Sequence, residues 1–174
     1  MSSSALNALT TGSYARLEWR PLKGLSRDAE LSMDGRPIGT LMFRSPFGTL
    51  ATATIGNACW TFKRAGFFEP RVHVRDCRSD EQIAEFVNNT WAGGGTLTLH
   101  GGRTFKATTK LWKRKWEIED AEGRVLLRFD YGTSFKMRAR VKIPSEARAI
   151  ADLPLLVAFS WYLVVMLSAE HGAS

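Results

Sequence analysis

Most of the chain alternates apolar and polar residues in short runs that end at turn-forming residues. Ala15, Leu17 and Trp19, for example, alternate with charged residues. A period of two is the pattern of a β-strand with one buried face. The Asp34-Gly35 dipeptide between two such runs is a strong hairpin signal. About twelve runs indicate an all-β meander. They cover 15–20, 30–33, 38–43, 50–55, 58–64, 71–76, 96–100, 103–108, 110–116, 116–119, 124–129 and 135–143.

The last apolar segment breaks this pattern, because residues 153–167 are apolar on every side of a helix. A helix without a polar face must be enclosed, either by a bilayer or by the protein's own sheet. Fifteen residues span about 22 Å, which is short of the ~30 Å hydrocarbon core of a membrane. Asp152 and Pro154 suit the first turn of a helix. The sequence therefore favours a helix over about 153–168 inside the protein, with a tail-anchored membrane protein as the alternative.

A barrel accounts for both the strands and this helix. Closing about twelve strands leaves an interior too wide for side chains alone, and a helix about 10 Å across fits it. We therefore predict a mainly β fold, a closed antiparallel barrel of about twelve strands around a hydrophobic C-terminal α-helix, plus one short helix. Ser79 and Gln82 form the capping box of that short helix. Ile83, Phe86 and Val87 then form its apolar stripe.

Length and cysteine usage suggest one domain in a reducing compartment. The 174 residues fit a single barrel domain at 14–169, preceded by a flexible polar tail at 1–13. That tail has neither the basic nor the apolar region of a secretory signal. The sequence thus predicts a cytoplasmic protein, with a peripheral position at a membrane as an extension of that location. Cys59 and Cys77 are then expected to be reduced thiols.

The positive charge of the chain is concentrated in one segment. Residues 103–142 carry 12 Lys and Arg against 5 Asp and Glu, which accounts for the whole net charge of +7. Cations alternate there with apolar residues, so a strand presents them on one face. That face is either a solvated surface or a site for anionic membrane lipid. The residues predicted for a lipid site are Lys113, Lys115, Lys136, Arg138, Arg140 and Lys142.

Four features together resemble the tubby C-terminal-like superfamily, which includes tubby proteins, phospholipid scramblases and LURP-one-related proteins. They are the strand meander, the glycine-rich segment 91–97, the hairpin 116–129 and the terminal Leu-Pro-Leu-Leu-Val helix. The resemblance implies a twelve-stranded barrel around a hydrophobic helix and an association with membrane lipids, which tubby proteins contact through basic side chains. The cysteine cluster and acidic calcium loop of scramblases are missing from this sequence, which argues against lipid scrambling.

No catalytic signature is present in the sequence. It contains no Gly-x-Ser-x-Gly elbow and no Walker loop, and His73, His100 and His171 lack metal-ligand spacing. We therefore expect a non-catalytic binding or scaffold module without cofactor or metal, whose partner is an anionic membrane lipid surface. A protein partner is an alternative, as is a small enzyme or carrier with a cleft on the barrel. Nucleic acid is disfavoured because the aromatic positions point inward and leave no stacking platform.

Overall fold

The computed structural model describes residues 2–24, 26–66, 68–89, 94–110, 115–131 and 138–171. Twelve strands form one closed antiparallel barrel in chain order. They are β1 Leu17–Pro21, β2 Ala29–Met33, β3 Arg36–Phe43, β4 Ala51–Ile55, β5 Ala58–Ala65, β6 Arg71–Asp76, β7 Gln82–Asn88, β8 Gly95–Leu99, β9 Thr104–Lys110, β10 Lys115–Glu119, β11 Val125–Tyr131 and β12 Ala139–Lys142. Helix α1 is Ser2–Thr11, a 3₁₀ turn covers Ser145–Ala147, and helix α2 is Leu153–His171.

Helix α2 fills the barrel, which confirms the predicted architecture. Every residue from 153 to 166 is buried. Trp161 stacks on Trp19 of β1, with ring centroids 6.0 Å apart. Phe159 lies between Phe62 of β5 and Phe86 of β7, at 5.6 and 5.4 Å. The helix is apolar all round because strands surround it on all sides.

Within the part of the chain that the structure describes, no helix combines the length and the hydrophobicity needed to cross a membrane.

The short helix predicted after Ser79 is wrong, because this segment is strand β7. Ala84 and Phe86 point into the barrel with the period of two residues that is typical of a strand. Phe86 fits this pattern as well as the predicted helical stripe. Ser79 does not cap a helix. Its backbone N–H and that of Arg78 donate to Asp76 Oδ1, at 3.0 and 2.8 Å, within the turn between β6 and β7.

The strand predicted over 110–116 is also wrong. Lys110 ends β9 and Lys115 begins β10, and the two residues lie opposite each other in the sheet. Residues 111–114 lie outside the described residues. The segment is thus split between two antiparallel strands, because it contains the reversal of the chain between them.

The amino-terminal segment, for which the sequence predicts a flexible tail, contains helix α1. Leu9 is fully buried and Leu6 packs against the core. The spacing of three residues places both side chains on one face of the helix. Arg148 secures the end of this segment, because its Nη1 donates to Gly12 O (3.3 Å) and its guanidinium lies over the Tyr14 ring. Two leucines among small polar residues are too weak a pattern to predict this contact.

Cys59 and Cys77 form a disulfide, so the prediction of reduced thiols is wrong. Their Cα atoms are 5.4 Å apart, and Cys77 N–H donates to Cys59 O at 3.2 Å. The pairing of β5 with β6 places the two residues opposite each other, which their separation in sequence does not reveal. Disulfides are typical of oxidising compartments. The cytoplasmic location, on which the expectation of thiols rests, stays a prediction.

Candidate functional site

The two ends of the barrel differ in composition. We call the end with the β1–β2, β3–β4, β5–β6, β7–β8, β9–β10 and β11–β12 connections the loop end; helix α2 also ends there. The turn end holds the other connections, helix α1 and the start of α2. In the sequence, the connections between strands at the turn end contain no Phe, Trp or Tyr. Those of the loop end contain Phe47, Phe67, Phe68, Trp91, Trp112 and Phe135.

Phe47 lies in the β3–β4 connection, and 97% of it is exposed. The connection around it is well braced. Arg27 Nη2 donates to Ser45 O at 2.8 Å and to Gly48 O at 2.7 Å. Gly48 N–H donates to Ser45 Oγ at 2.9 Å, and the Arg27 guanidinium lies 4.1 Å from the centre of the Phe43 ring. Hydrogen bonds with Arg27 of the β1–β2 connection and with Ser45 within the loop therefore fix the backbone on both sides of the exposed Phe47.

Phe68, in the β5–β6 connection, is also 97% exposed. The two connections are neighbours on the rim because β4 and β5 pair with each other. Thr49 Oγ1 of the β3–β4 connection donates to Arg64 O near the end of β5, at 3.4 Å. Leu22 adds a partly exposed side chain from the β1–β2 connection. Single exposed apolar residues are common on proteins, but here two fully exposed phenylalanines share one end.

Exposed charges of both signs lie at the same end. Lys23, Arg44 and Arg138 are exposed there, and so is Glu69, which pairs with Arg71 at 3.2 Å. A recess of about 370 Å³ lies between the β1–β2 and β3–β4 connections, with Arg27, Asp28 and Arg44 in its wall. Partial burial lowers the pKa of Arg27 from its ordinary value, and it keeps its charge at neutral pH because arginine titrates far above it. Two guanidinium groups beside a recess suit a phosphate or carboxylate group.

The structure orients the described members of the predicted lipid site outward. Arg138, Arg140 and Lys142 are exposed, and Lys115 is half-buried at the start of β10. Ala139 and Val141 alternate with them and are buried. Two further predicted residues, at positions 113 and 136, lie outside the described residues.

Carboxylates lie among these cations across the strands, although Arg128 and Lys142 are directly opposite each other. Directly opposed residues form one row of Lys115, Asp130, Arg140 and Glu18 and a second row of Glu117, Arg128 and Lys142. Arg128 Nε lies 2.6 Å from Glu117 Oε1, and Lys142 pairs with Asp130. Opposite charges on adjacent strands attract each other. This strand face, defined by the two rows, therefore carries four cations against three carboxylates.

Two of the histidines, His73 and His100, contact Gln82 at the start of β7. His73 Nδ1 lies 2.9 Å from Gln82 Oε1, and His100 Nδ1 lies 2.9 Å from Gln82 O. Among the described residues, no group of three His, Cys, Asp or Glu side chains could hold a metal ion. The absence of enzyme activity and of a cofactor stays a prediction.

No family model, curated protein or solved structure matches this chain. The resemblance to the tubby C-terminal-like superfamily therefore rests on architecture, and membership stays a prediction.

Proposed function

We propose that this chain is a non-catalytic binding module of the tubby-like type that docks on anionic membrane surfaces with the loop end of its barrel. The observation that carries the proposal is the pair of 97% exposed phenylalanines, Phe47 and Phe68, on neighbouring connections. Apolar side chains enter the acyl boundary of a bilayer, and flanking cations are attracted to its anionic lipids.

The loop end suits this role better than the strand face. On the strand face, each cation has a carboxylate on the next strand, and these carboxylates are repelled by an anionic surface. At the loop end, Lys23 and Arg44 share the rim with apolar side chains that gain from leaving water, and the exposed carboxylate of Glu69 pairs with Arg71. Arg138 lies where the strand face meets the loop end, so it can add to the same contact.

The magnitudes support reversible binding. Each buried phenylalanine contributes ~1.5–3 kcal/mol, and each of three nearby cations contributes ~1 kcal/mol at an anionic surface. The sum of about 6–9 kcal/mol corresponds to a dissociation constant near the micromolar range. That strength is typical of a peripheral contact.

The test is flotation with phosphatidylcholine vesicles that contain or lack phosphatidylserine. We expect the wild type to bind the anionic vesicles, and binding to weaken as salt rises because exposed charges are screened. Phe47→Ser with Phe68→Ser should reduce binding at least tenfold, as roughly 1.4 kcal/mol already corresponds to a factor of ten. Both residues are exposed, so the melting temperature should not fall.

The matched control is Arg140→Gln with Lys142→Gln on the strand face, which we expect to change binding little. If this control loses binding and the double phenylalanine variant keeps it, the strand face is the site and the loop end is not. No binding of the wild type at low salt would refute membrane docking altogether. A preference for phosphoinositide over phosphatidylserine at equal surface charge would point to the recess beside Arg27 and Arg44.

A further inference from the structure

A second cavity lies at the turn end, opposite the proposed membrane contact. It is a cleft of about 590 Å³ between helix α1, the rim of the barrel and the first turn of α2. Small-molecule sites in proteins typically measure about 300–1,000 Å³. Its walls include Leu6, Thr10, Trp60, Leu99, Arg103 and Asp152.

The floor of the cleft is apolar. Trp60 and Leu99 come from the inward-facing positions of β5 and β8 and keep only a small exposed fraction. Leu6 of α1 and Leu155 of α2 add to the same lining. An aromatic ring and several aliphatic side chains in one concave surface favour the apolar body of a ligand.

One ion pair supplies the charged groups of the lining. Arg103 Nη2 lies 2.9 Å from Asp152 Oδ2. The two side chains differ in exposure, at 65% for Arg103 and 15% for Asp152. A ligand that enters from solvent therefore meets the guanidinium before the carboxylate. The contact is an ion pair without hydrogen-bond geometry, because Asp152 Oδ2 accepts no hydrogen bond among the described residues. It therefore leaves the N–H donors of the planar guanidinium fork to a ligand.

We infer that the cleft binds one small amphipathic carboxylic acid. Its apolar chain lies against Trp60, Leu99 and helix α1, and its carboxylate accepts hydrogen bonds from Arg103. A carboxylate matches the guanidinium fork with two parallel hydrogen bonds. Asp152 competes with the ligand for the same guanidinium. It therefore weakens ligand binding while it keeps Arg103 in place.

The competition gives a test in which two variants act in opposite directions. Decanoate is the probe, and isothermal titration calorimetry of the full chain measures its binding. Arg103→Gln should weaken binding about tenfold, since a charge-assisted pair is lost. Asp152→Asn should tighten binding severalfold, because the guanidinium loses its internal partner. Asparagine remains suitable at a helix N-terminus, so we expect the fold to persist, and a thermal melt checks it.

Arg124→Gln is the matched control, because Arg124 pairs with Asp120 in another turn at the same end, at 2.7 Å. Decanoate should bind this variant as it binds the wild type. The loop-end variant Phe47→Ser with Phe68→Ser should also bind normally, which separates this site from the proposed membrane contact. No measurable decanoate binding, tighter binding of decylammonium, or weaker binding by Asp152→Asn would each overturn the inference.

Discussion

Tyr162 carries a polar group into the apolar interior of the barrel. Its hydroxyl donates to Thr49 O at 2.6 Å, which ties helix α2 to the connection that presents Phe47. Burial raises the pKa of Tyr162 well above its ordinary value near 10. The neutral phenol is therefore the form that the folded protein stabilises.

Tyr162→Phe should lower the free energy of unfolding by about 1–2 kcal/mol, because Thr49 O loses its partner. The substitution should also change the response to alkali. A raised pKa gives stability that is complete below the unfolded pKa near 10 and is lost as pH rises through the folded value. Denaturant unfolding between pH 7 and 11 checks this, and the wild type should lose more stability than the variant over that range. An equal loss in both proteins would contradict the assignment.

For single residues, the sequence predicts which way a side chain points but not which side chain it contacts. The alternation of Ala139, Arg140, Val141 and Lys142 correctly indicates which side chains face the interior. The carboxylates opposite the cations depend on strand register, which a single strand does not encode. The exposure of Phe47 is equally hidden, because the pattern of strands and turns does not show which loop residues reach solvent.

The disulfide is the main feature at the scale of elements, because it joins β5 to the end of β6 with a separation of 18 residues. Closing a loop of that length raises the free energy of the unfolded state by about 3 kcal/mol, because it restricts the unfolded chain. Cys59→Ala with Cys77→Ala should therefore lower the free energy of unfolding by about 2–3 kcal/mol. Denaturant unfolding with and without reducing agent measures it. The agent should destabilise the wild type alone, and an equal effect on both proteins would count against the disulfide as the cause.

Two errors of element prediction cancel in the strand count. The segment of β7 reads as a helix because Phe86 and Val87 fit a helical stripe as well as a strand, and short apolar runs do not separate the two. The segment 110–116 reads as one strand because apolar and basic residues alternate through the reversal between β9 and β10. The closed barrel decides both cases, since β6 and β8 need a strand between them.

Helix α2 decides the stability of the whole molecule. Truncation before Leu153 removes a dozen large apolar side chains, each worth ~1.5–3 kcal/mol when buried, against total stabilities of about 5–15 kcal/mol. The product should be insoluble or molten. A molten product should show no near-ultraviolet circular dichroism signal and should bind the hydrophobic dye ANS strongly. Ser160→Ala is the control. Among the described residues, its hydroxyl bonds within the helix, to Leu156 O at 2.6 Å, so this variant should stay folded. A soluble, well-folded truncation would contradict the role of α2.

The architecture of the molecule was the most predictable feature, and its division into two ends was the least. A helix with no polar face and strands with one apolar face require each other, so the pattern of apolar residues along the chain indicates the barrel. The cleft at the turn end depends on helix α1, Trp60 and Arg103, which are far apart in sequence. Only the closed fold brings them together.

The position of α2 after β12 also sets the order in which the chain can fold. A ribosome delivers all twelve strands before the helix that they enclose. Until then the inner faces of the strands have no core, and Glu18 of β1 lacks its opposite residue Arg140 until β12 has been made. Contacts between residues so distant in sequence form slowly, and exposed apolar strands invite aggregation meanwhile. Nascent chains of this protein are therefore expected to need chaperones until α2 has been synthesised.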